Sequence, residues 1–456
     1  MNADTSGPPR IAAHPIDSLL LRDNFGTPEI RAVWSDAATL AYWLRAEAAL
    51  ARAQADVGLI PPAAAEAIGH ACQPEIIDWP ALQRGAELVG YPILTLVRQI
   101  AAAAGAEAGR YVHWGATTQD IMDTATSLQL RDTRLLIADG LTRVIDGLVG
   151  LTRKHRHTVM AGRTHGQQAL PITFGYKLAV FVAELRRHQS RLADAGRRAE
   201  LVQFAGAAGT LASVGPKGLG AQARMAELLD LGQPEISWHT ARDGIAEFAC
   251  VLGLITGTLA KFAQEVAFLQ RTEIGEVEEG FVPGRGGSST MPQKRNPIAS
   301  EAIIGAARQV RQLVPALLDG MLHDNERATG PWHGEWLALP EACVLTHGIV
   351  AKAVEIVSGL TVKPERMRQN LDLTHGLISS EAVMMALAPT LGRQEAHDVV
   401  YDASMAAIQK GTTLRQELLA DQRIASRVDA ATIDRLIDPA NYLGLAVEFV
   451  DRVVGQ

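Results

Sequence analysis

Apolar residues recur every three or four positions along most of this chain, and alternating runs of the strand type are scarce. Between Ser35-Asp36, placed to cap a helix, and Gly58, placed to end it, Leu40, Trp43, Leu44, Ala48 and Ala51 fall on one face. Pro61-Pro62 open the next, alanine-rich helix, and further short helices fill the chain to about Arg110. Long helices are then expected from about Ile121 and from about Ile172 to Leu201. From Asp243 to about Glu273, Ile245, Phe248, Leu252, Ile255, Leu259, Phe262, Val266 and Leu269 step by three or four, predicting a helix of roughly 45 Å at 1.5 Å per residue. Another runs from Ile298 to about His323, with a kink at Pro315, and another from about Pro340 to Gly359. Past Pro364 the helices shorten. Helices this long, with no sheet to lie on, must pack against one another. The expectation is an all-α chain of three helical domains, 15–111, 112–363 (the long-helix bundle) and 364–456, after a disordered N-terminus at 1–14.

Composition narrows the function. Forty-three basic and 50 acidic side chains give a formal charge of −7, so there is no basic footprint for nucleic acid. Three distant cysteines, Cys72, Cys250 and Cys343, read as reduced thiols packed in a core, which points to a cytoplasmic protein without disulfides. The first residues lack the charged-then-apolar layout of a signal peptide, and no uncharged apolar run of spanning length is evident, so no membrane is expected. No His-x-x-x-His or paired-cysteine spacing offers a metal site. The glycine-rich stretch Phe204–Gly220 holds no Gly-x-Gly-x-x-Gly after a strand, so no nucleotide cofactor is expected either.

Three blocks carry candidate chemistry. Gly284-Arg285-Gly286-Gly287-Ser288-Ser289-Thr290-Met291-Pro292-Gln293-Lys294-Arg295-Asn296-Pro297 reads as a mobile loop with a stiffened exit, either a catalytic lid or a solvated surface loop. It is not a phosphate-cradling loop, because Lys294 lies between Gln293 and Arg295 instead of following glycine. His113-Trp114-Gly115-Ala116-Thr117-Thr118-Gln119-Asp120 leads into a long helix. Its threonine hydroxyls, beside unpaired N–H groups at a helix start, serve either as simple caps or as a carboxylate site. Gly162-Arg163-Thr164-His165-Gly166-Gln167-Gln168-Ala169-Leu170-Pro171 sets a histidine in a turn, a structural or an acid–base residue.

The pattern Gly-Ser-Ser-x-Met-Pro-x-Lys-x-Asn-Pro, complete from Gly287 to Pro297, resembles the signature of the fumarase/aspartase superfamily. The other two blocks are similar to that superfamily's first and second motifs. The resemblance covers the chain from about Asn24 to the end. It implies a central domain of five long helices and a homotetramer with a twenty-helix core, each active site assembled from three subunits. It also implies a reaction: a proton leaves the carbon beside a carboxylate and a group departs from the next carbon. Carried over by motif, Ser288 is the general base and His165 the acid at the leaving group, or a group that positions it. Glu301 orients the histidine. Lys294, with Asn296, stabilises the doubly negative intermediate. Thr117, Thr118, Gln119, Thr164, Ser289, Met291 and Arg327 bind a di- or tricarboxylate substrate.

Within the superfamily, Asn325-Glu326-Arg327, Trp332-His333-Gly334-Glu335-Trp336, Trp238-His239-Thr240-Ala241-Arg242-Asp243, Asn370-Leu371-Asp372-Leu373-Thr374 and Asp438-Pro439-Ala440-Asn441-Tyr442-Leu443-Gly444 are similar to the bacterial 3-carboxy-cis,cis-muconate cycloisomerase branch. Adenylosuccinate lyases differ here. They carry His-His-Asp where this chain has Val89-Gly90-Tyr91-Pro92-Ile93, and phosphate-binding residues where it has Trp332 and Trp336. The implied reaction is intramolecular carboxylate addition, giving 4-carboxymuconolactone. Cycloisomerases of this branch commonly have tryptophan after Arg-Thr and histidine three places later, whereas this chain has His165 and Gln168. A C–N lyase releasing fumarate from an N-substituted aspartate or nitrosuccinate is therefore the alternative, ahead of adenylosuccinate lyase or an inactive structural paralogue.

Overall fold

The computed structural model describes residues 13–280, 290, 291, 293–327 and 329–455. Among these, α-helix dominates, in eighteen segments, and strand is limited to four short pieces in two antiparallel pairs. The all-α expectation holds at the level of class. The expected disorder at 1–14 falls outside the described residues except at Ala13 and His14.

The chain divides into two compact units, one built from Met1–Leu141, Arg187–Ala260 and Ala302–Lys352, the other from Thr142–Arg186, Lys261–Glu301 and Ala353–Gln456. In the first unit, the helix Asp36–Asp56 starts where the sequence placed it, the Ser35 hydroxyl accepting from the Ala38 N–H. Its apolar stripe joins the core formed by Leu40, Leu44, Leu50, Ile68, Leu96, Ile121, Leu128, Phe204 and Met225, all buried. The same unit holds the start of the helix Thr118–Lys154 and a glycine-to-valine seat: a Cβ on Gly140 would stand 2.4 Å from Val350 Cγ1. In the second unit a Cβ on Gly147 would stand 2.6 Å from Val357 Cγ2. At both places backbone meets side chain at a distance only glycine permits.

The second unit also contains an element the helical reading missed. Strands β1 (Val159–Thr164) and β2 (Gln167–Thr173) form a hairpin, with a register shift between Ala161 and Arg163. The helix expected from Ile172 therefore begins only at Phe174 and runs to Ala199. The shorter C-terminal helices pack around Val383, Leu387, Val399, Leu414, Leu418 and Ile433.

Two further boundaries move. The helix assigned to Pro340–Gly359 starts at Pro331, with Pro340 inside it. Proline suits a first turn and is tolerated inside a long, packed helix at the loss of one hydrogen bond. The helices Asp243–Leu269 and Pro331–Gly359 are long and apolar enough to cross a membrane by length and composition, though charged residues interrupt both, so neither is the uncharged run that was not expected. Their most apolar stretches are 61% and 67% buried within the protein. That burial is what core helices of a folded domain require.

Candidate functional site

The residues singled out from sequence fall into two groups, one in each unit. In the first unit the turn His113–Thr117 bends through His113 (φ 59°) and Gly115 (φ 71°) into the helix Thr118–Lys154. A Cβ on Gly115 would stand 2.4 Å from Val214 Cγ1, so glycine is needed for both space and backbone angle. Asp120, fully buried, fixes this turn. Its carboxylate accepts from the backbone N–H groups of Thr117, Ala205 and Gly206 at 2.9–3.1 Å and lies 2.7 Å from His239 Nε2. His113 is anchored too, its Nδ1 lying 2.6 Å from the Glu47 carboxylate. Burial works to lower the proton affinity of His113, but the charge and hydrogen bond of Glu47 outweigh it, leaving the imidazole above its ordinary range.

On this platform Arg327 donates from Nε to Gln119 Oε1 at 3.1 Å and from Nη1 to Thr117 Oγ1 at 3.2 Å. Thr118 is the first residue of the helix. A guanidinium, a hydroxyl and the N–H groups of a helix start are thus gathered in one place, a donor set suited to a carboxylate. Behind it lies a network whose members are distant in sequence. Arg242 donates to Asp123 from both terminal nitrogens, at 2.8 and 3.0 Å, and to Glu335 from Nε and Nη2, at 2.8 and 2.6 Å. Burial opposes the charge on Arg242, yet the two carboxylates keep it protonated; burial also pushes the Glu335 carboxyl up, against the pull of Arg242. Trp332 adds a hydrogen bond from Nε1 to Asp123 and packs edge-on against Trp336, with centroids 4.9 Å apart.

In the second unit, β1 and β2 are joined by the two residues His165 and Gly166, both at positive φ (53° and 77°). Such a turn matches the right-handed twist of a hairpin, and a non-glycine residue rarely adopts this conformation. It leaves Thr164 and His165 exposed at the tip. One residue below, Arg163 and Glu276 pair. Just ahead of the signature loop, the Glu279 carboxylate accepts from the Ala299 and Ser300 N–H groups at 3.1 and 2.8 Å, capping the helix Ile298–Asp319. Of the loop itself, Met291 and Lys294 are exposed, the Lys294 N–H donating to the Met291 carbonyl at 3.0 Å. The Asn296 carbonyl accepts from the Ile298 N–H at 3.0 Å. Glu301 is exposed on the helix's first turn, and among the described residues no hydrogen bond joins it to His165. Ser288 and Ser289, and with them the lid reading, lie outside the described residues. Sequence reading missed Asp120, Asp123, His239, Glu276, Glu279 and Glu335 as supports; Asp120, His239 and Glu335 stand inside motif blocks that gave no role to them, and the others carried no signal.

Long helices thus carry carboxylate-ready donors at the start of one of them. A family model described as lyase matches residues 23–312, and one described as adenylosuccinate lyase C-terminus matches 376–453. Trans-aconitate decarboxylase 1 of Mycosarcoma maydis is 47% identical over 96% of this chain and 88% of its own length. The 3-carboxy-cis,cis-muconate cycloisomerase of Pseudomonas aeruginosa is 44% identical over 95% of each. The crystal structure of 3-carboxy-cis,cis-muconate lactonizing enzyme from Pseudomonas putida superposes with a TM-score of 0.90 at 42% identity, covering 95% of this chain and 98% of that one. The chain belongs to this lyase family, within the fumarase/aspartase superfamily, and is an enzyme of the lyase/cycloisomerase type.

Proposed function

We propose that the protein closes 3-carboxy-cis,cis-muconate to 4-carboxymuconolactone. The observation that carries this reading is Arg327 held on Thr117 and Gln119 at the start of the helix Thr118–Lys154. A cation with flanking donors suits one arm of a polycarboxylate. Two of the similar proteins are named for reactions of unsaturated tricarboxylates, trans-aconitate and 3-carboxymuconate. The positions where a nucleotide phosphate would need cations hold Trp332, 6% exposed, and Trp336.

In the proposed reaction, a carboxylate oxygen of the substrate bonds to an alkene carbon. The displaced π electrons move to the neighbouring carbon and into its carboxylate, and Lys294 and Asn296 stabilise that charge. The new C–O bond closes the lactone ring, and Ser288 then delivers its proton to the neighbouring carbon, completing the addition. In the reverse direction the Ser288 alkoxide takes the same proton, so neighbouring N–H groups and Lys294 must favour the ionised hydroxyl. Thr117, Thr118, Thr164, Ser289, Met291 and Arg327 hold the carboxylates, Gln119 steadies Arg327, and Glu301 orients His165. A three-domain homotetramer with sites shared between subunits is part of this reading.

His165, exposed at a hairpin tip in an Arg-Thr-His motif, favours one second reading. A leaving group that needs a proton would use it, as in release of fumarate from an N-substituted aspartate. The deciding experiment incubates the protein with 3-carboxy-cis,cis-muconate, trans-aconitate, adenylosuccinate and simple N-substituted aspartates. Loss of conjugated-diene absorbance without fumarate or carbon dioxide supports the cycloisomerase. Fumarate or carbon dioxide from the other compounds, with the muconate untouched, overturns it.

A further inference from the structure

The buried Arg242 network has a direction built into it, because one of its members can face only one way. Gln119 is 1% exposed, and its amide nitrogen lies 3.0 Å from Asp123 Oδ2 and 2.9 Å from the His239 carbonyl. Both partners are acceptors, so both demand an N–H. The amide oxygen is therefore turned the other way, where it accepts from Arg327 Nε at 3.1 Å. Asp123 in turn cannot rotate its demand away. One of its oxygens accepts from Gln119 and Arg242, the other from Arg242 and Trp332, at 2.8–3.2 Å. Each oxygen faces two donors, so only a carboxylate fits both positions. All these residues belong to the first unit.

We infer that Asp123, held by Trp332 and by Arg242, which Glu335 anchors in turn, is a positioning residue that orients the Gln119 amide and through it the guanidinium of Arg327. This rests on the reading of Arg327 as a carboxylate ligand. Asparagine at position 123 must put an N–H against a donor of Arg242 on either side. Placed toward Gln119, it is relieved only if that amide flips, which presents an NH2 group to Arg327. Donor then faces donor, and the guanidinium swings off Thr117. The defect is felt where substrate is bound, not where the proton moves.

The test is a double-mutant cycle of Asp123→Asn and Arg327→Gln, measured as KM and kcat on 3-carboxy-cis,cis-muconate, with melting temperature and oligomer size recorded beside them. Asp123→Asn should raise KM roughly tenfold, the scale of one opposed buried hydrogen bond, with kcat changed far less. In the Arg327→Gln background the same substitution should add little further, because coupled residues are not additive. Gln119→Met, which removes the relay while keeping its bulk, should reproduce the KM effect and serves if Asp123→Asn does not fold. Additive KM effects, or an unchanged KM in Gln119→Met, overturn the relay. An unchanged KM in Arg327→Gln alone overturns the role of Arg327 itself. If the wild type is inert toward the muconate, the substrate reading fails separately, and the same cycle is run on fumarate binding by calorimetry with the same outcomes.

Discussion

Arg163 and Glu276 meet as a two-pronged pair, the guanidinium donating to the two carboxylate oxygens at 3.0 and 2.6 Å, with Glu276 wholly buried. Asn370 adds a third hydrogen bond to Glu276 at 2.8 Å. The pair ties β1, one residue before Thr164 and two before His165, to the segment after the helix Asp243–Leu269. Arg163→Ala would strand a buried carboxylate, which costs about 3–5 kcal/mol. A clear drop in melting temperature is expected, with a smaller one for Arg163→Lys, which keeps the charge and loses the fork. Equal melting temperatures for Arg163→Ala and the wild type would remove the pair from the stability of the hairpin.

His165→Asn keeps a small polar residue that tolerates positive φ, so the hairpin should survive. If His165 donates or positions a proton, turnover should fall by a factor of roughly 10²–10⁴ with KM little changed. Steady-state kinetics on whichever panel compound the wild type consumes settles this. Ser288→Ala should lower turnover by orders of magnitude with the oligomer intact; near-normal turnover would remove Ser288 from the role of base.

The His113–Glu47 contact predicts a pH dependence of stability. Glu47 lifts the imidazole above its ordinary value of 6.5, so the folded chain holds this proton more tightly than the unfolded one. The stabilisation is fully present below 6.5 and is lost as the pH rises through the higher folded value. Melting temperature should therefore decline over that window, and the decline should flatten in His113→Gln. Parallel profiles for the two proteins would show that the proton is not held there.

Glu279 makes a separate prediction. Its carboxylate occupies two N–H groups at the start of the helix Ile298–Asp319, directly after Lys294 and Asn296. Glu279→Ala should cost about 1–2 kcal/mol of stability through the lost cap. It should also lower kcat, because the segment bearing both residues loses its anchor. Lost stability with unchanged kcat would confine Glu279 to capping.

The long helices could be read from sequence because their apolar faces repeat at the helical period. The hairpin could not: β1 reads Val-Met-Ala-Gly-Arg-Thr and breaks its alternation at the irregularity beside Gly162, while β2 carries Pro171. Pro340 misled in the opposite sense, marking a helix start by a rule that holds for isolated segments and yields to packing. Motif residues announced Thr117, Gln119 and Arg327, and the structure brings those three together. Their supports were hidden for a different reason. Asp123, Arg242 and Glu335 lie about a hundred positions apart, and only folding makes them neighbours.

The glycine-to-valine seats fix something sequence motifs do not mention. Gly140 and Gly147 are seven residues apart, and so are the valines they receive, Val350 and Val357. The helices Thr118–Lys154 and Pro331–Gly359 thus run in the same direction with matched spacing at two depths. Sliding either one along the other would drive a branched side chain into backbone. Single-residue insertions between these seats in one helix should consequently be barred, whereas lengthening either end stays open.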